Sequence, residues 1–127
     1  MARYLLDASA LLAWIQREPG ADVVDKALPE AAVSSVNLAE VGAKLSDFGV
    51  PARMLSAALD FEIEVISFDA QSAMEAGRLR SGTRRLGLSL GDRCCLATAK
   101  QYGLIALTTD RDWSSLNSKR VKVRVLR

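Results

Sequence analysis

The stretch LIALTTDRDW, Leu104 to Trp113, is a short apolar run that stops on two threonines and two aspartates. A run of this length bounded by turn-forming residues reads as a strand buried on both faces. Such strands belong to parallel sheets, and open parallel sheets gather their chemistry just past the carboxyl ends of their strands. Asp110 and Asp112 both fall at such an end.

Outward from this run, strand and helix alternate. RYLLD (3–7) reads as a short buried strand that leaves Asp7 at its carboxyl end, and SALLAWIQ (9–16) as the helix after it. EPGADVVDKALP (18–29) holds a turn and a short second helix, and AAVS (31–34) a further buried strand. A helix over 35–49 follows, with Leu38, Val41 and Leu45 as its apolar stripe and Gly49 as its stop. Next come a helix opened by Pro51 (51–61), an alternating strand (62–68), and a helix capped by Asp69 (69–82). GDRCCLATAKQYG (91–103) reads as a helix between glycines, LIALTT (104–109) as a strand, and VKVRVL (121–126) as an edge strand. This order predicts a three-layer α/β/α sandwich on a mostly parallel sheet, in one domain spanning 1–127.

Composition removes several chemistries. The 127 residues contain no histidine, which excludes His-based triads and His general bases. The two cysteines are adjacent, Cys94 and Cys95, and read as small buried side chains rather than a disulfide or a zinc site. No run approaches the ~20 apolar residues of a membrane span, and Asp7 interrupts any leader-like apolar region. The expectation is a cytoplasmic protein with no membrane contact. Lys and Arg total 17 against 15 acids. GRLRSGTRRLG (77–87) carries four arginines and no acid, and NSKRVKVRVLR (117–127) three arginines and two lysines. These stretches are either solvated faces or rims for a polyanion.

Four carboxylates stand out. Asp7 and Asp110 end strands, Asp92 lies in the first turn of the cysteine helix, and Glu40 interrupts the otherwise apolar VNLAEVGAKL. Each has an ordinary alternative: a helix or turn cap for Asp7, Asp92 and Asp110, a solvated position for Glu40. Together, three of them project near one sheet edge. Clustered carboxylates raise one another's pKa unless a cation neutralises them. Without histidine or a cysteine cluster, the natural neutraliser is a hard divalent ion, Mg²⁺ or Mn²⁺. Carboxylates and such an ion beside basic stretches point to phosphodiester hydrolysis.

YLLDASALLAWI, AAVSSVNLAEVGAKL and LGLSLGDRCCLATAKQYGLIALTTDRDW, in that order, resemble the PIN-domain ribonucleases, specifically the VapC-type toxins of toxin–antitoxin pairs. The resemblance covers almost the whole chain. It implies a PIN-like fold and places Asp7, Glu40, Asp92 and Asp110 in the catalytic, metal-binding set, with Mg²⁺ as cofactor and Mn²⁺ as the alternative. It assigns Ser9 and Thr108 supporting hydrogen bonds around the ion, and leaves Asp112 as a rim charge or outer helper. It implies hydrolysis of RNA to 5′-phosphate and 3′-hydroxyl ends. Arg93, Arg111, Arg84 and Arg85 are the candidate RNA contacts. A VapB-type antitoxin and a homodimer are the implied partners, with 14–28 and the helix from Val36 as candidate partner-facing elements.

Other classes fit less well. A receiver domain needs an acidic pair after its first strand, where this chain has Asp7 alone, and a phosphoacceptor ending a middle strand, whereas Asp60 precedes one. A flap-type DNA nuclease normally needs a longer chain. A non-catalytic RNA-binding or interaction module on the same fold is the alternative kept open.

Overall fold

The computed structural model describes residues 1–59, 63–116, 118 and 120–127. Among these residues five strands form one sheet: β1 (Tyr4–Leu6), β2 (Ala31–Ser34), β3 (Glu64–Ile66), β4 (Ile105–Thr108) and β5 (Lys122–Val125). Their order is β3-β2-β1-β4-β5, and every pairing is parallel. Among the described residues six α-helices accompany them: α1 (Ala8–Ile15), α2 (Ala21–Ala27), α3 (Ser35–Asp47), α4 (Ala52–Leu59), α5 (Ala70–Thr83) and α6 (Leu90–Tyr102). The predicted elements are all present. Residues 60–62, which carry the end of the predicted helix 51–61 and the start of the predicted strand 62–68, lie outside the described residues.

Strand alternation divides the core. Leu6 and Leu107 face one side, where they meet Leu11 of α1, Val24 of α2, and Val41 and Leu45 of α3. Leu5 and Ala106 face the other, packed with Cys95, Leu96 and Ala99 of α6 and with Trp113. Ala76 of α5 closes a smaller cluster with Cys94 and Ala97. The result is the predicted α/β/α sandwich, each sheet face burying its apolar residues against a helical layer. Both cysteines are buried and free. Among the described residues no helix is long and apolar enough to cross a membrane.

Two local details differ from expectation. The sixth helix begins at Leu90, not at the Gly91–Asp92 pair: Ser89 is its N-cap, and Asp92 answers as the partner in a capping box. On α3 the buried positions are Asn37, Val41 and Leu45, while Leu38 is only half-buried.

The chain end is also tied in. Gly20 takes a left-handed φ of 103°, and a Cβ there would stand 3.0 Å from Leu126 Cβ. Leu126 N–H donates to the Thr108 carbonyl at 2.8 Å, carrying the β4–β5 ladder past Val125.

The topology locates the crevice. From β1 the chain moves to β2 and β3 on one side, then crosses through α5 and α6 to β4 on the other. Connections therefore leave β1 and β4 in opposite directions, and a sheet of this kind opens its ligand crevice beyond the carboxyl ends of those two strands.

Candidate metal centre

Asp7 sits at that switch point. Its backbone N–H donates to the Leu107 carbonyl at 3.0 Å, which extends the β1–β4 ladder by one residue and fixes its position. Only 4 % of its surface is exposed. Oδ1 accepts from Ala10 N–H at 2.8 Å, capping α1, and from the Ser9 hydroxyl at 2.7 Å. Oδ2 accepts from the Thr108 hydroxyl at 2.6 Å. Burial pushes the carboxyl up to about 6; the bonds from Thr108, Ser9 and Ala10 pull it down, and the charge of Asp92 pushes it further up. Asp7 is thus a helix cap and a destabilised buried acid at once.

Ser9 and Thr108 knit the two strand ends together. The Thr108 hydroxyl, fully buried, also accepts from Asp110 N–H at 3.0 Å. The Ser9 hydroxyl accepts from Thr109 N–H at 3.0 Å and lies 3.3 Å from Thr108 Oγ1. Each hydroxyl spends its proton on Asp7 and its lone pairs on the segment after β4, so Asp7 and Asp110 are held through one shared atom, Thr108 Oγ1.

Asp110 is exposed. Its Oδ1 accepts from Asp112 N–H at 2.9 Å, and its carbonyl from Trp113 N–H at 3.1 Å. This starts a 3-10 turn over Arg111–Leu116 whose anchor is the fully buried Trp113. Asp112 is exposed and meets Asp110 through its backbone.

Glu40 and Asp92 come from the helical layers. Glu40, half-buried, accepts at Oε1 from Asn37 Nδ2 at 2.7 Å. Its carboxylate lies against the Cα of Gly91 so closely that any Cβ there would overlap it. Asp92 follows in the chain, with Oδ2 accepting from Ser89 N–H at 2.9 Å. Fully buried Cys95, one turn further along α6, registers the cluster: burial pushes its thiol well up, and Asp7, Asp92 and Glu40 push it further.

The structure thus brings Asp7, Glu40 and Asp92 around the start of α6 and ties Asp110 to Asp7 through Thr108. Among the described residues, no three acidic side chains already converge into a coordination shell. Each carboxylate accepts instead from a local N–H or O–H. No Lys or Arg pairs with any of the four among the described residues. An all-oxygen set of four acids with no cationic partner, one of them buried, suits a hard divalent ion such as Mg²⁺.

The candidate RNA contacts are dispersed. Arg84 and Arg85 are exposed in a 3-10 turn, Arg84–Leu86. Arg111 is exposed, its Nε donating to the Arg127 carbonyl at 3.1 Å. Arg93 is half-buried: Nη1 donates to the Ala76 carbonyl at 3.0 Å, and Nε is buried without a partner. Asn37 was not among the sequence candidates. Its signal was its place three residues before Glu40, on the same helix face.

The PIN domain family model matches residues 4–119. No curated protein matches significantly in sequence. Among solved structures, the chain is similar to one in a toxin–antitoxin complex from Klebsiella pneumoniae, with TM-score 0.78, 21 % identity, and 98 % of each chain covered. It is similar to one in DNA-bound VapBC from Salmonella typhimurium, with TM-score 0.75, 19 % identity, and 100 % of each covered. The Mycobacterium tuberculosis toxin VapC20, which cleaves the sarcin–ricin loop, matches with TM-score 0.76 at 19 % identity, over 94 % of this chain and 98 % of that one. With nearly the whole chain under one family model, and the fold and order of elements to match, the protein belongs to the PIN domain family.

Proposed function

We propose that this protein is a metal-dependent endoribonuclease of the VapC toxin type, acting as one cytoplasmic domain over residues 1–127. The observation that carries the reading is Asp7: a buried carboxylate at the β1–β4 switch point, raised toward neutrality, held by two hydroxyls and given no cationic partner among the described residues. Asp7, Asp92 and Asp110 would hold the ion, Mg²⁺ first and Mn²⁺ as the alternative, with Glu40 joining directly or through water. A bound divalent ion supplies a lowered pKa for water and neutralises charge developing on phosphoryl and leaving oxygens. The chain's own part is to fix the acids. Ser9 and Thr108 orient Asp7 and tether Asp110, and Asp112 shapes the turn that presents Asp110. Arg93, Arg111, Arg84 and Arg85 are the candidate phosphate contacts.

The structural neighbours named as toxin–antitoxin complexes support a VapB-type antitoxin as partner, and the sarcin–ricin loop-cleaving neighbour supports RNA as substrate. A homodimer is part of the same reading.

The test is end mapping of cellular RNA after incubation with the purified protein, with and without Mg²⁺ or Mn²⁺, for wild type and Asp7→Asn. The expected result is cation-dependent cleavage that leaves 5′-phosphates and is lost in D7N. Cleavage that survives strict chelation, or that D7N leaves unchanged, overturns the reading. RNA binding with no cation-dependent cleavage returns the chain to the binding-module alternative.

A further inference from the structure

One helical turn before Glu40, Asn37 is 1 % exposed. Its Nδ2 donates to Glu40 Oε1 at 2.7 Å and to the Gly91 carbonyl at 3.1 Å. Both acceptors lack a proton to give, so the amide has one usable orientation. That orientation leaves Oδ1 buried without a hydrogen-bond partner. An unmet buried amide oxygen costs stability, and an apolar side chain of similar size would remove the cost. The fold accepts this cost at the residue that clamps Glu40. Gly91 completes the clamp, since a Cβ there would overlap Oε1, Oε2 and Cδ of Glu40. The carboxylate therefore rests on the backbone of α6 beside Asp92, and one amide joins α3, α6 and the acid.

We infer that Asn37 is a positioning residue for the cation: it pins the Glu40 carboxylate onto Gly91 so that Glu40 and Asp92, from separate helices, address the same ion. The inference rests on the cation-binding reading above and adds a residue whose work is done entirely through Glu40.

Mn²⁺ binding to the purified chain, followed by electron paramagnetic resonance without RNA, tests it. Asn37→Leu keeps the branched shape and removes both donors and the unmet oxygen. It is expected to keep the native fold in chelator, by circular dichroism, yet to bind Mn²⁺ roughly 10–100-fold more weakly, the usual loss when a ligand's supporting partner is removed. Glu40→Gln is expected to lose at least as much, and N37L/E40Q no more than E40Q alone, because Asn37 acts through Glu40. Gly91→Ala reads the same contact from the other side without touching Asn37, and should weaken Mn²⁺ binding comparably even if N37L fails to fold. Wild-type affinity in both N37L and G91A overturns the proposal, as do independent, additive losses in N37L/E40Q. If wild type itself takes up no Mn²⁺, or Asp7→Asn leaves uptake unchanged, the cation reading has failed and the proposal falls with it.

Discussion

Asp7 shows how a single carboxylate can serve the fold and oppose it. It caps α1 and joins two strand ends, yet burial raises its pKa from the ordinary 3.8 to about 6. Between roughly pH 4 and 6 the native state therefore binds more protons than the unfolded chain, and stability falls as pH rises through that window. Below the window the penalty is absent; above it the penalty is complete, on the order of 3 kcal/mol. Asp7→Asn keeps an oxygen for Ala10 and Ser9 and removes the charge. Urea melts in chelator should show D7N at least as stable as wild type at pH 7.5, with a flatter pH dependence between 4 and 6. A destabilised D7N would show that the hydrogen bonds outweigh the buried charge, and a retained wild-type slope would show that other groups titrate in this window. Asp110 and Asp112, alternate residues on one exposed turn, are expected to separate the other way. D110N preserves the acceptor for Asp112 N–H, so its stability should stay within about 1 kcal/mol of wild type. Its cation-dependent cleavage should fall by more than the ~10–100-fold typical of outer-shell partners. D112N should cleave near the wild-type rate, and equal losses in the two variants would show that the pair shares one role.

At the scale of elements, the start of α6 serves the architecture and the candidate site together. Ser89 and Asp92 satisfy each other's backbone N–H groups in a capping box, so Asp92 has a structural duty beside any hold on an ion. Ser89→Ala should destabilise the protein by about 1 kcal/mol by thermal or urea denaturation, with the fold retained. No measurable change would mean that Asp92 alone secures the helix start. The box was legible in the sequence as Ser-x-x-Asp ahead of an apolar run, but the glycine before Asp92 drew the boundary one residue too late. The strands were legible because short apolar runs ended in polar residues at Asp7, Ser34 and Thr108. Their parallel pairing followed from the helices between them. The partnership of Asn37 with Gly91 was not legible, because helical periodicity gives a residue's face but not what meets it from another helix. Nor was the contact of Glu40 with Gly91, which depends on how closely α3 and α6 approach. The linking of Asp7 to Asp110 through Thr108 needed the register Leu6 to Leu107, which neither strand specifies alone.

At the scale of the whole molecule, the four acids come from β1, α3, α6 and the segment after β4, so an ion among them would join both helical layers to the middle of the sheet. Binding of that kind adds to global stability rather than stiffening one loop, because none of the donors is near another in the unfolded chain. Mn²⁺ at about 100 times its dissociation constant should raise stability by roughly 2.7 kcal/mol, a shift in melting temperature on the order of 10 °C for a chain of this size. An ion held by Asp7 would take its ionised form, and burial pushes that carboxyl up to about 6. The stabilisation should therefore be full above pH 7 and shrink as pH falls below 6, with apparent affinity dropping about tenfold per pH unit in the acid limit. Scanning calorimetry with and without Mn²⁺ at pH 5 and pH 7.5, on wild type and D7N, checks both parts. A shift that is the same at the two pH values would place the ion away from Asp7. A shift that D7N retains would place it outside the switch point altogether, and the β1–β4 crevice would then be a feature of the fold without being the seat of its chemistry.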